Sequence, residues 1–310
     1  MKRLAHDLRA RLSARLCARL SARLSAPLSA RSGSTLVELL AALPIIGIVG
    51  ALALILLIAT ERQARRSDAT DSAVRELRHA AVILGAELRP LRPVDLVAWS
   101  DTSLEFQALV AIGIACDVRS SATSINLLPV ADADPLDTHL VMPVQDGDRV
   151  RAMLAPGTVA GAPQPWETRV SSVSTSAACP GSMLRVSAGA GLQVALDDVR
   201  PAQVAEGSPV RITRRTRYNL YRAGDGLWYL GRTSRGRTIW DGVQPVAGPF
   251  TSAASRGLRI TVRDSAGNAL VAGPTPLAAT VHVELRAARL GAITAADSSF
   301  VAVALRARNE

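Results

Sequence analysis

Lys2 is the only lysine in the 310 residues, so the 36 basic residues are almost all arginine. That bias follows composition and is no signal for guanidinium chemistry by itself. Aromatics make up 3% of the chain, so any core must be built from Ala, Val, Leu and Ile. Three cysteines are too few for a disulfide scaffold and lack zinc-site spacing. Gly-x-Ser-x-Gly, His-Glu-x-x-His and Cys-x-x-Cys are all missing. The four histidines, His6, His79, His139 and His282, are scattered. The chain therefore reads as a non-enzyme, with no cofactor and no metal site. It is not a disordered chain, because 48% of its residues are hydrophobic and 20% charged.

The net charge of +10 is unevenly placed. Residues 1–33 hold Lys2 and seven arginines against Asp7, a net of +7, which leaves +3 for the other 277 residues. The basic pI thus belongs mainly to the tail and argues little for nucleic acid as a partner. Within the tail, Ala-Arg-Leu-Ser recurs with period four over residues 9–31. Solvated low complexity, a membrane-surface segment and an Arg-rich transit peptide all fit that pattern.

Residues 39–59 carry no charge. At 1.5 Å per residue they reach about 30 Å, the thickness of a bilayer's hydrocarbon core. Basic residues before the span outweigh Arg62, Arg65 and Arg66 after it. The positive-inside rule then places the N-terminus in the cytoplasm and the C-terminal part outside. Beyond the span, Val74, Leu77, Ala81, Leu84 and Leu88 make one apolar helical stripe, which Arg89-Pro90 ends. The expected helix runs from about 35 to 89, roughly 80 Å long, and Pro44 should kink it.

After Pro90 the pattern becomes short alternating runs: 103–110, 183–186, 258–263, 281–285 and 300–305. Turn signals at Asp146-Gly147, 223–226 and 264–268 separate them. The expected fold class is α+β, a long N-terminal helix on a mostly antiparallel β domain. Six of the ten aromatics fall between Tyr218 and Phe250 and mark the expected best-packed part. Residues 205–209 offer a break between regions 90–209 and 210–310.

At the head of the apolar span stands Gly33-Ser34-Thr35-Leu36-Val37-Glu38-Leu39-Leu40. Thr35 and Glu38 fit a capping box, and a carboxylate suits a helix N-terminus. The run also resembles the processing site of type IV prepilins: a basic leader ending in glycine, a cut, then a glutamate five residues into the mature chain heading an apolar helix. Near the C-terminus, Tyr218-Asn-Leu-Tyr-Arg222, Leu227-Trp-Tyr-Leu-Gly-Arg232, Trp240-Asp-Gly-Val243 and 303–309 are similar to PilW-type minor pilins and J-type pseudopilins of type II secretion. Ser34 stands where the family usually has Phe, and the 33-residue leader is long for it.

The resemblance implies a leader over 1–33, a helix over 34–89 with its membrane span at 39–59, and cleavage between Gly33 and Ser34 by a prepilin peptidase. It implies methylation of the new amine, and partner pilins or pseudopilins that meet through the helix, with Glu38 serving assembly. It further implies a bacterial inner-membrane protein with a periplasmic domain, in a type IV pilus or a type II secretion pseudopilus. The alternative is a single-pass signal-anchor protein with an extracytoplasmic β binding domain, which keeps residues 1–33.

Other candidates are local. Cys116 and Cys179 fall on the oxidising side in this topology and are a candidate disulfide, two buried thiols being the alternative. Asp132, Asp134 and Asp137 form an acidic run without the EF-hand pattern. Residues 188–191 hold two glycines of an incomplete phosphate loop. Arg211, Arg214, Arg215 and Arg217 beside Tyr218 and Tyr221 could hold single-stranded DNA; an alternating strand with one exposed arginine face is the reading preferred here.

Overall fold

The computed structural model describes residues 36–117, 121–130, 137–154, 165–176, 179, 182, 184, 190–271, 278–288 and 298–304, with backbone alone for 37, 38, 176 and 298–304. Two compact units divide the chain, residues 1–65 and 66–310.

Of the first unit the described part is one stretch of helix α1 (Leu36–Leu88). Straight-chain and small residues dominate it, and these lose little rotamer freedom in a helix. The helix passes through Pro44 without interruption. Every residue from 39 to 59 is exposed.

The second unit opens on the last turns of α1. Leu77, Ala80, Leu84 and Leu88 are buried there, at steps of three and four. Ala80 is fully buried and Ala81, expected in the stripe, is half-buried. Burying each leucine contributes about 1.5–3 kcal/mol. Arg89 N–H still bonds the Gly85 carbonyl at 3.1 Å, and Pro90 ends the helix.

The strands that follow are β1 (Leu96–Ser100), β2 (Ser103–Asp117), β3 (Ser124–Leu127), β4 (His139–Leu140), β5 (Arg149–Ala152), β6 (Trp166–Ser176), β7 (Gly191–Leu196), β8 (Pro209–Arg222), β9 (Trp228–Ser234), β10 (Gln244–Phe250), β11 (Leu258–Arg263), β12 (Thr280–Arg286) and β13 (Ser298–Ala304). Every strand pairing is antiparallel. Pairing runs from β2 through β3, β7, β6, β5 and β8 and returns to β2, which closes a ring of six strands. Within the ring, closure leaves each of the six strands a neighbour on both sides, so none of them is an open edge there. β1 extends the ring beyond β2, and β9 and β10 extend it beyond β8, while β11, β12 and β13 form a separate sheet.

Among the described residues two large apolar cores result, with a small third cluster around Cys116, Leu128 and Cys179. Inside the ring lie Val110, Ile125, Leu127, Val150, Val194 and Ile212. The other core gathers the buried stripe of α1, Phe106, Tyr218 and Phe250 from the larger sheet, and Ile260, Val283 and Leu285 from the smaller one. β2 serves both cores because its register shifts between Leu109 and Ala111. Such a bulge changes which residues face inward. Before it Leu104, Phe106 and Ala108 face the helix-side core; Val110, Ala111 and Ala115 face the ring interior.

The turn at 205–208 leads straight into β8, which pairs with both β2 and β5, so residues on either side of 209 enter one sheet. Of the aromatic cluster, Tyr218 and Phe250 are fully buried, and Tyr221, Trp228, Tyr229 and Trp240 are half-buried. Phe106, outside that cluster, stacks on Tyr218 with ring centroids 6.0 Å apart. The β8–β9 hairpin turns at Gly226 (φ +81°), and the Asp225 carboxylate accepts from Leu227 N–H at 2.9 Å. Of the expected run 183–186, residues 183, 185 and 186 lie outside the described residues.

Candidate functional site

The apolar half of α1 is the first candidate surface. Leu39, Leu43, Ile46, Val49 and Ile55 are all exposed, and the helix is long and apolar enough to cross a membrane, with a mean hydropathy of 2.8 over its most apolar stretch. In water about 0.8 kcal/mol is at stake per exposed CH₂, so such a surface calls for lipid or other apolar helices around it. Gly33 and Ser34 lie outside the described residues. Thr35 also lies outside the described residues, and Glu38 is the third residue of α1.

The outer face of the ring is the second. Along β8 the side chains alternate, so Arg211, Arg215 and Arg217 point outward while Arg214 points inward between the two cores. The expected exposed arginine face is therefore only partly exposed. Arg211 is 12% exposed and bonds the buried Asp95 at 3.0 Å. Asp95 also holds Arg151 at 3.2 Å, and Arg151 in turn pairs with Glu167. The 3₁₀ turn Pro93–Asp95 sets this carboxylate in place, with Arg92 N–H donating to it at 2.9 Å. Burial pulls the Arg211 guanidinium below its ordinary value, and Asp95 opposes that shift.

Glu105, directly opposite Arg217 on β2, pairs with both Arg215 and Arg217. Arg217 also lies over the Trp240 ring at 4.4 Å, a cation–π contact. On the inner side Arg214 grips Asp148 with two bonds, Nε to Oδ1 at 2.7 Å and Nη2 to Oδ2 at 2.8 Å, and Nη2 also reaches the Pro143 carbonyl at 2.8 Å. This bidentate geometry makes strong charge-assisted bonds. All four arginines singled out in the sequence are thus committed to carboxylates. Their partners escaped the sequence reading because each lies at least 66 residues away.

A third group joins α1 to β9 and β10 within the second unit. Arg232 donates to Glu87 at 3.1 Å, and the Gly248 N–H donates to Glu76 at 3.2 Å. Burial pushes the Glu87 carboxyl above the ordinary glutamate range, with the charge of Arg232 opposing. Burial raises the Tyr218 hydroxyl as well, and the charge of Glu87 adds to it. That hydroxyl has no partner within hydrogen-bond geometry.

Cys116 and Cys179 are joined as a disulfide, their Cα atoms 5.6 Å apart. Cys116 is the last residue but one of β2, and both cysteines are buried beside Leu128. Asp132 and Asp134 lie outside the described residues, and Asp137 is buried. Gly191 opens β7, while 188 and 189 lie outside the described residues. His79 sits exposed on α1, His139 in β4 and His282 in β12. Among the described residues no group of three or more His, Cys, Asp or Glu could hold a metal ion. Comparison with known protein families, curated proteins and solved structures finds no match.

Proposed function

We propose that the chain is a type IV pilin-like subunit, a minor pilin or pseudopilin cut after Gly33 and assembled through α1 into a type IV pilus or a type II secretion pseudopilus. The observation that carries the reading is the division of one helix. Its first half is apolar and exposed all round, its last turns bury a single stripe in an antiparallel β domain, and the motif Gly33-Ser34…Glu38 stands at its head. A helix of that kind can move from lipid to a bundle of identical helices without changing its own fold.

The role of Glu38 follows from charge. Cleavage frees a positive α-amine on Ser34, and the carboxylate of one subunit meets the amine of the next. At about 4 Å and an effective dielectric near 20 the attraction is roughly 4 kcal/mol before desolvation. That is enough to favour one axial register over its neighbours. Partners on this reading are the prepilin peptidase, other pilins and inner-membrane lipid, with nucleic acid left out.

N-terminal sequencing of the membrane-extracted protein, from cells with and without the peptidase, tests the proposal. A chain beginning at Ser34 only when the peptidase is present is expected. Intact residues 1–33 in both strains would instead make it a signal-anchor protein. The variant Glu38→Ala should still be cut but enter filaments poorly; normal incorporation would remove the role given to Glu38.

A further inference from the structure

Where β8 changes neighbours, the ring leaves a cleft. β5 accompanies β8 over 210–213 and β9 over 216–222, so Arg214 and Arg215 fall at the changeover. Arg214 turns inward. Arg215 turns out into a cleft of about 170 Å³.

Four further arginines meet it there: Arg149, Arg169, Arg235 and Arg237. The register requires this. Arg149 lies opposite Arg169 across β5 and β6, and opposite Thr213 on β8, one outward position from Arg215. The Arg215 carbonyl accepts from Arg235 N–H at 2.8 Å. Gln107, opposite Arg215 on β2 and 5% exposed, completes the wall. Gly147, at φ +85°, lets the chain of Arg237 come close, because a Cβ there would stand 2.6 Å from the Arg237 Cα. That approach brings the Arg237 guanidinium to the rim, where Asp146 and Asp197 each hold it at 2.7 Å.

The charges do not cancel. Arg149 pairs with Glu167, which Arg151 shares, and Arg215 pairs with Glu105, which Arg217 shares. Among the described residues neither Arg169 nor Arg235 makes an ion pair, and the Arg235 guanidinium lies 5.9 Å from the Trp240 ring. A guanidinium offers five N–H donors in a planar fork, so most donors of this cleft are uncommitted. Like charges gathered this closely repel one another unless an anion enters between them.

We propose that this cleft is a binding site for a small tetrahedral oxyanion of the phosphate class, a free phosphate or a phosphate monoester. The volume matches about five or six waters, which admits such a dianion and excludes a folded polymer. Forked guanidiniums suit phosphate oxygens in pairs, and the Gln107 amide adds a neutral donor–acceptor at the wall. The proposal stands apart from the pilin reading and survives its failure.

Calorimetric titration of the full-length protein in detergent tests it, with inorganic phosphate against chloride at matched ionic strength. Wild type should bind phosphate with a dissociation constant below about 1 mM. The double variant Arg169→Gln/Arg235→Gln should bind at least about tenfold more weakly, while Arg259→Gln, an exposed position on β11, should bind as wild type does. If the double variant melts early, Arg169→Gln alone, at an exposed side chain, must still weaken binding. Glycerol 3-phosphate should bind like phosphate, and glycerophosphoglycerol, a soluble diester headgroup, at least about tenfold more weakly. No heat beyond the chloride control, or equal binding by wild type and variants, would overturn the site. A diester bound as tightly as phosphate would overturn the dianion assignment.

Discussion

Asp148→Asn strikes a deeply enclosed ion pair of the fold. Asp148 and Arg214 have side chains 1% and 8% exposed, and two bonds of 2.7 and 2.8 Å join them. Asp148 also accepts the Gln145 N–H at 2.8 Å, and Arg214 also donates to the Pro143 carbonyl. Removing the carboxylate charge leaves a guanidinium between two apolar cores without a counter-ion. Breaking a buried pair from one side costs about 3–5 kcal/mol, mostly because the remaining charge stays desolvated. For a domain of 150–250 residues each kcal/mol moves the melting midpoint by about 2–4 °C. A midpoint about 6–20 °C lower is therefore expected for Asp148→Asn, and a similar one for Arg214→Met. The double variant Asp148→Asn/Arg214→Met strands no charge and should be less damaged than the sum of the two, by about 1–3 kcal/mol. Thermal unfolding of the detergent-extracted protein, followed by tryptophan fluorescence, reads all three. A midpoint for Asp148→Asn within about 2 °C of wild type, or strict additivity in the double variant, would refute the buried-charge argument.

Two other consequences can be measured in the same protein. Reduction should add two hydrogens to the mass, and Cys116→Ser should destabilise by about 4 kcal/mol from the lost closure of a loop with a sequence separation of 63; an unchanged mass on reduction would disprove the bridge. Because the folded state raises the Glu87 carboxyl above its ordinary value, it holds that proton more tightly than the unfolded chain does. Linkage then makes the contribution of Glu87 to stability fall as pH rises from the ordinary glutamate value through the raised one. The variant Glu87→Gln should lack that component. Melting midpoints with the same slope against pH in both proteins would rule it out.

Certain features were set by order along the chain. The helix was legible because an uncharged run of bilayer length and a three-and-four stripe are local patterns, and both follow from 3.6 residues per turn. The turn at Gly226 and the alternation of 258–263 were legible for the same reason: neighbours a few residues apart determine them. The outward rank of Arg211, Arg215 and Arg217 also follows from period two. Arg214 breaks that rank, and its partner Asp148 is 66 residues away, so nothing nearby announced that a charge would turn inward. Closure of the ring depends on β8 pairing with β2 and β5 at once, over separations from 58 residues (Ala152 to Val210) to 116 (Ser103 to Asn219). The bulge at Leu109 then decides which core each half of β2 serves. The arginine cleft arises where β8 exchanges β5 for β9, and no single strand contains it. Order along the chain settled period and length, because those are properties of neighbours. Counter-ions, closure and the cleft came from tertiary structure, because electrostatic energy and hydrogen-bond register depend on distances in space that only the assembled sheet supplies.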